Sequence, residues 1–145
     1  MRLVLDTNVL VAALRSDRGA SRKLLLAALD RRIRIVASVP LILEYEAVLT
    51  RPAHLAATGL SIQETNSVLD ALVAVAEPIR LRFLWRPRLK DPADEMVLET
   101  AVNGGADRLV TFNLRHFKPA AKEFGILAVT PPEAWKEVQP RDETK

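Results

Sequence analysis

The sequence contains no cysteine, which excludes disulfides and thiolate metal sites. It has two histidines, His54 and His116, neither with a histidine nearby in the chain, so the paired imidazoles of a zinc site are not expected. Long apolar runs are missing too. Apolar stretches such as Leu24 to Leu29 and Val68 to Ala76 are far shorter than the ~20 residues of a membrane span. No basic segment followed by an apolar stretch and a small-residue cleavage site precedes the first predicted strand, so no export signal is expected. A soluble, cytoplasmic protein without membrane association is the expectation. No glycine-rich turn follows that strand, which argues against a dinucleotide-binding Rossmann site. Internal repeats, low-complexity segments and linkers are also lacking.

What remains is 145 residues, enough to bury one proper core. Apolar spacing predicts a strand over 2–5 and a short helix from Val9 to Leu14 capped by Thr7 or Asn8. A helix over 20–32 and a strand over 33–37 follow. Pro40 suits the first turn of a helix that runs to about Thr50, stopped by Arg51-Pro52. A loose stretch reaches Gly59, and Ser61-Ile62-Gln63-Glu64 has the form of a capping box for a helix ending at Ala76. Ile79 to Leu84 reads as a strand. Asp91-Pro92 opens a helix that stops at Asn103-Gly104-Gly105. A strand over 108–112, a loop over 113–118, a strand over 126–129 and a helical turn over 132–138 complete the reading. Strands alternating with helices predict a three-layer α/β/α single domain over 1–138 with a mostly parallel central sheet. Residues 139–145 form a polar tail.

The net charge is +3 and the pI is about 9.6, a mild excess compatible with a polyanionic partner. Arg80, Arg82, Arg86, Arg88 and Lys90, with Trp85 among them, crowd the segment before Asp91. Arginines for phosphates and an indole for stacking would suit a nucleic-acid strand, with Arg86, Arg88 and Lys90 as candidate RNA contacts. The plainer reading is a solvated loop.

Three acids carry the chemistry. Asp6 ends the first predicted strand, and ligands of open α/β sheets bind beyond the carboxyl ends of the strands. Glu44 stands in helical register with Leu41 and Val48, and Asp94 with Leu98 and Ala101, so both acids fall on otherwise apolar faces. An ionised acid there needs a partner. Asp6 and Asp94 could instead cap helices, and Glu44 could pair with an arginine. Taken together, the three would form a cluster above a parallel sheet that repels itself without a cation. All-oxygen ligands point to Mg²⁺ or Mn²⁺, and such an ion normally completes its shell with substrate phosphate, which implies phosphoryl chemistry.

Val4-Leu5-Asp6-Thr7-Asn8-Val9-Leu10, Ala37-Ser38-Val39-Pro40 followed by Glu44, and Asp91-Pro92-Ala93-Asp94-Glu95 followed by Gly104-Gly105-Ala106-Asp107 and Leu109-Val110-Thr111 make an ordered set. In this the chain resembles PIN-domain ribonucleases, specifically the toxin components of prokaryotic toxin–antitoxin pairs, over about residues 2 to 135. The resemblance implies that Asp6, Glu44 and Asp94 are the catalytic, metal-binding acids and that RNA is cut to leave a 5′-phosphate and a 3′-hydroxyl. It also implies a small protein antitoxin, and the helix from Leu60 to Ala76 is a candidate homodimer contact. Asn8, Ser38, Asp91, Thr111 and Asn113 are candidates for contacts around the metal or substrate. The family often has a fourth acid where this chain has Asn113, which removes one charge and weakens a second metal site. That departure supports an alternative, a catalytically weak or inactive PIN-fold module that binds RNA or protein. A phosphoacceptor signalling domain ranks lower, because the second acid lies mid-helix and the late strands end without the lysine that class requires. His116 and His54 are expected to be surface or structural residues, since a metal-bound hydroxide needs no separate general base.

Overall fold

The protein is described by a computed structural model over residues 1–82, 89 and 91–139. Among these, strands β1 (Arg2–Leu5), β2 (Arg34–Ala37), β3 (Glu77–Pro78), β4 (Arg108–Val110) and β5 (Leu127–Val129) form one sheet in the order β3-β2-β1-β4-β5. Every pairing is parallel, with Leu3 beside Ile35, Leu5 beside Val110, and Val110 beside Val129. Parallel strands covered on both faces read as unbroken apolar runs, and Leu3, Val4 and Leu5, like Ile35, Val36 and Ala37, are buried. Pro78, which cannot donate to a ladder, sits on the edge strand.

The helices are α1 (Thr7–Arg15), α2 (Ala20–Leu29), α3 (Val39–Leu49), α4 (Pro52–Thr58), α5 (Ile62–Val75), α6 (Pro92–Asn103), α7 (Leu114–Glu123) and α8 (Pro131–Val138). Helices α1, α2, α5 and α8 form one contiguous layer, α6 lies on β1, β2 and β4, and α7 lies on β5. Helix α3 touches α1 and α5 on one side and α6 on the other. The α/β/α fold expected from the alternation is therefore present, and its sheet is wholly parallel.

Side-chain caps start half of the described helices. Ser38 accepts from Leu41 N–H and starts α3, while Ser61 with Glu64 and Thr130 with Glu133 form complete capping boxes for α5 and α8. Asp6, rather than Thr7 or Asn8, is the N-cap of α1, yet its side chain makes no capping bond.

Three expectations are corrected. The stretch before Gly59 is a helix, α4: Pro52 occupies its first turn and Gly59 ends it with a left-handed φ of 75°, the usual asymmetry of helix ends. Residues 114–123 are helical rather than a loop, although Pro119 interrupts the backbone bonding, because burial of Phe117, Ala120 and Ala121 holds the turn in place. The third strand is Glu77–Pro78, earlier than the expected 79–84. Ile79 N–H still bonds to Ala37 C=O at 2.9 Å, and the structure of residues 83 and 84 lies outside the described residues.

Candidate active site

The chain runs from β1 through β2 to β3 in one direction across the sheet and then returns to place β4 on the other side of β1. The crevice between the carboxyl ends of β1 and β4 is thus the switch point at which doubly wound sheets take ligands. Asp6 and Thr111 are the residues directly after those two strands. Thr111 Oγ1 donates to Asp6 Oδ2 at 2.7 Å, and Asp6 N–H bonds to Val110 C=O at 2.9 Å. The carboxylate of Asp6 is therefore held by the next strand of the sheet and is not spent on its own helix.

Above this point lies a cleft of about 270 Å³ lined by Asp6, Asn8, Glu44, Asp94 and Asn113, with Thr7, Val11, Val48, Ala93 and His54 between them. The three acids singled out in the sequence thus share one cavity. Asp6 is only 5% exposed. Burial, reinforced by the charges of Asp94 and Asp91, pushes its pKa up to about 6 despite the Thr111 bond, which acts in the opposite direction. The pKa of Asp94 is raised as well, first by burial and then by Asp91, while His116 offsets part of the effect.

Glu44 reaches the cleft from α3. The buried stripe of that helix is Leu41, Tyr45 and Leu49, and Glu44 and Val48 run beside it rather than within it. Among the described residues Glu44 makes no hydrogen bond or ion pair, so the arginine partner considered for it is not found there. Tyr45 anchors the helix: its buried hydroxyl donates to Leu5 C=O, at the carboxyl end of β1. Burial and the nearby charge of Asp6 push the phenol well above its ordinary pKa, keeping it a neutral donor.

Asp94 arrives in the first turn of α6. The capping role considered for it belongs to Asp91, whose carboxylate accepts from Ala93 N–H at 2.9 Å. Asp94 faces the cleft rim instead, with a side chain 13% exposed, and His116 Nδ1 stands 3.4 Å from its Oδ2. His116 belongs to α7 and is itself 65% exposed; the sequence reading of an idle loop residue missed this contact. It also missed His54, which lines the cleft from α4. Neither position was legible, because both rest on helices that proline residues obscured. The helix α6 additionally buries Glu95 and Glu99, a pair at i and i+4 that the emphasis on Asp94 passed over.

The secondary candidates separate. Asn113, the N-cap residue of α7, lines the cleft, and its N–H bonds to Thr111 Oγ1 at 2.9 Å. Asn8 lines it too, and its Oδ1 is buried with no hydrogen-bond partner among the described residues. Ser38 is buried below, bonded to Thr100 at 2.7 Å as well as capping α3. Arg86, Arg88 and Lys90 lie outside the described residues.

The donor set fits a hard divalent cation: carboxylate and amide oxygens predominate, with His54 beside them, two acids have raised pKa, and among the described residues Glu44 and the carbonyl oxygen of Asn8 are unpaired. Among the described residues no three acidic or histidine side chains stand close enough to enclose an ion. That arrangement suits a hydrated ion gripped by one or two carboxylates better than an all-protein cage. Among the described residues no helix is long and apolar enough to cross a membrane.

A sequence model of the PIN domain matches residues 2–115. Among solved structures, the chain is similar to VapBC2 from Rickettsia felis bound to a DNA fragment from their promoter. The likeness has a TM-score of 0.62 and 18% identity, covering 90% of this chain and 98% of that one. No curated protein matches the chain in sequence.

Proposed function

Since this chain belongs to the PIN domain family, we propose that it is a metal-dependent endoribonuclease that hydrolyses RNA phosphodiester bonds and serves as the toxin of a toxin–antitoxin pair. The observation that carries the reading is the convergence of Asp6, Glu44 and Asp94 on one cleft at the switch point of the sheet. Asp6, Glu44 and Asp94 would hold Mg²⁺ or Mn²⁺, one or two of them directly and the rest through its bound waters. The bound ion would supply an activated water and counter-charge for the phosphate.

The residues of the chain do the rest. Thr111 fixes one oxygen of Asp6, so that the carboxylate enters the cleft in one orientation. Asn8 offers a carbonyl oxygen that is unpaired among the described residues, and Asn113 adds an amide to the same cleft lining. His116 holds Asp94 at the rim from the α7 side. The buried apolar base beneath, formed by Leu5, Val110 and Tyr45, keeps bulk water out and strengthens each charge interaction above it.

The antitoxin partner rests on the likeness to a VapBC2 assembly; a homodimer remains a proposal from the resemblance alone. Asn113, in the place of a fourth acid, favours the second reading, a weak or inactive module that binds RNA without cutting it. One experiment separates them: incubation of purified protein with RNA in Mn²⁺, with Asp6→Asn as control. Cleavage by the wild type that Asp6→Asn loses supports the nuclease. Equal cleavage by both proteins overturns the mechanism, and RNA binding without cleavage by either supports the second reading.

A further inference from the structure

We propose that the exposed face of α7 is a track along which single-stranded RNA enters the cleft. The inference rests on the nuclease reading and extends it to a substrate-binding surface. Arg115, Lys118 and Lys122 are spaced by three and four residues, so they share one helical face. All three are exposed, and with Leu114 and Pro119 they line a shallow hollow of about 520 Å³. From Arg115 to Lys122 the helix rises roughly 10 Å. The N-cap of the same helix, Asn113, lines the cleft, and His116 one turn on stands 3.4 Å from Asp94. Along the helix axis the stripe therefore starts two residues from the cleft wall, with Arg115 turned by about 100° from His116.

Among the described residues none of the three cations is in an ion pair. The acid that feels Lys118 is Glu133, whose carboxylate already accepts from Thr130 in the capping box of α8. Phe112, 49% exposed on the turn between β4 and α7, adds a ring at the head of the stripe. Cations along an apolar hollow, led by an exposed aromatic ring, are the features that bind a single strand without reading its sequence. An acidic peptide fits less well, because it offers no bases to stack on the exposed ring of Phe112.

The test uses the full chain carrying Asp6→Asn, to prevent cleavage, and a short labelled poly(U) strand in EDTA. Adding Arg115→Gln, Lys118→Gln and Lys122→Gln should weaken binding by about tenfold or more and flatten the slope of log affinity against log salt by about 2, close to 0.7 per lost contact. Phe112→Ala should weaken binding and leave that slope unchanged. A control triple, Arg31→Gln with Arg32→Gln and Arg34→Gln at the amino end of β2, should change neither. An unchanged slope in the α7 triple, an equal loss in the control triple, or displacement of the RNA by poly-glutamate at matched charge overturns the proposal. The outcomes for the two readings are separable. Asp6-dependent cleavage with intact binding by the α7 triple refutes the track alone, and a binding loss without any wild-type cleavage in Mn²⁺ refutes the nuclease alone.

Discussion

At the amino ends of the strands Arg2 meets Glu77, with Nε 3.1 Å from its carboxylate, and Arg108 meets Glu137 at 2.9 Å. Arg2 also donates its backbone N–H to Asp107 and its Nη1 to Gly104 C=O. At the carboxyl ends Asp6, Glu44, Asp94 and Asp91 gather instead, and among the described residues only His116 stands within ion-pair distance of any of them. One edge cancels charge and the other accumulates it. Both edges belong to the same strands, so packing does not explain the difference. Paired ions at half-exposed positions contribute little and are compatible with mere solubility. Like charges pressed into a cleft oppose folding, and such a cluster is expected where a ligand compensates.

The strongest way to break that contrast is to remove the buried acid. With its pKa raised from 3.8 to about 6, Asp6 binds a proton more tightly in the folded chain than in the unfolded one. Below the unfolded value the carboxyl is neutral in both states. Between the unfolded and folded values the unfolded chain has released its proton while the native one still holds it, so stability falls as pH rises. The difference is up to about 3 kcal/mol and is complete above the folded pKa. Urea unfolding of the metal-free protein should therefore show stability declining from about pH 4 to about pH 7. Asp6→Asn, which can still accept from Thr111, should show a smaller decline, the part due to the raised pKa of Asp94 remaining, and be more stable than wild type at neutral pH. A decline of the same size in Asp6→Asn would place its source elsewhere.

Metal should undo the same strain. A cation that binds only the folded chain stabilises it by about 2.7 kcal/mol at a hundred times its dissociation constant. Mn²⁺ should thus raise the Tm of the wild type, and much less that of Asp6→Asn, in a differential scanning measurement. Equal shifts in both would mean that the ion binds outside the cleft.

These tests bear on residues whose prominence was visible before any fold. Asp6, Glu44 and Asp94 stood out because acids interrupt apolar runs, and the strand at Asp6 and the helix at Glu44 were legible from the same periodicity. The contacts that orient them were not. Thr111 meets Asp6 across 105 residues of sequence, a pairing set by strand order, which local spacing does not encode. The helices α4 and α7 went unread because Pro52 and Pro119 look like breakers in isolation, and with them went His54 and His116. The core-facing placement inferred for Glu44 was one step off: a helical stripe has a border, and Tyr45 takes the buried position beside it.

Asn113 offers a way to sharpen the contrast by adding to the accumulated charge. Asn113→Asp should place another acid on the cleft wall and raise the pKa of Asp6 further. Without metal the variant should be less stable than wild type near neutral pH, by about 1 kcal/mol. With metal it should bind Mn²⁺ several-fold more tightly, because ligand charge tunes affinity for hard cations. Calorimetric titration checks this directly. Unaltered affinity would mean that Asn113 stands too far from the ion to matter.

The smallest effect is expected where charge is already balanced. Arg108→Gln breaks the bond to Glu137 but leaves both positions in contact with water, since the side chains are 24% and 32% exposed. Exposed pairs of this kind contribute at most about 1 kcal/mol, so the midpoint of urea unfolding should shift only slightly. Mn²⁺ affinity and RNA cleavage should not change, because the altered residue lies at the far end of β4 from Thr111. The pKa of Arg108, raised chiefly by its bond to Glu137, cannot produce a pH effect in the neutral range, since the guanidinium is charged in both states throughout it. A loss of metal binding or of cleavage in Arg108→Gln would show that the two edges are coupled through the sheet and that their opposite charge patterns are one device.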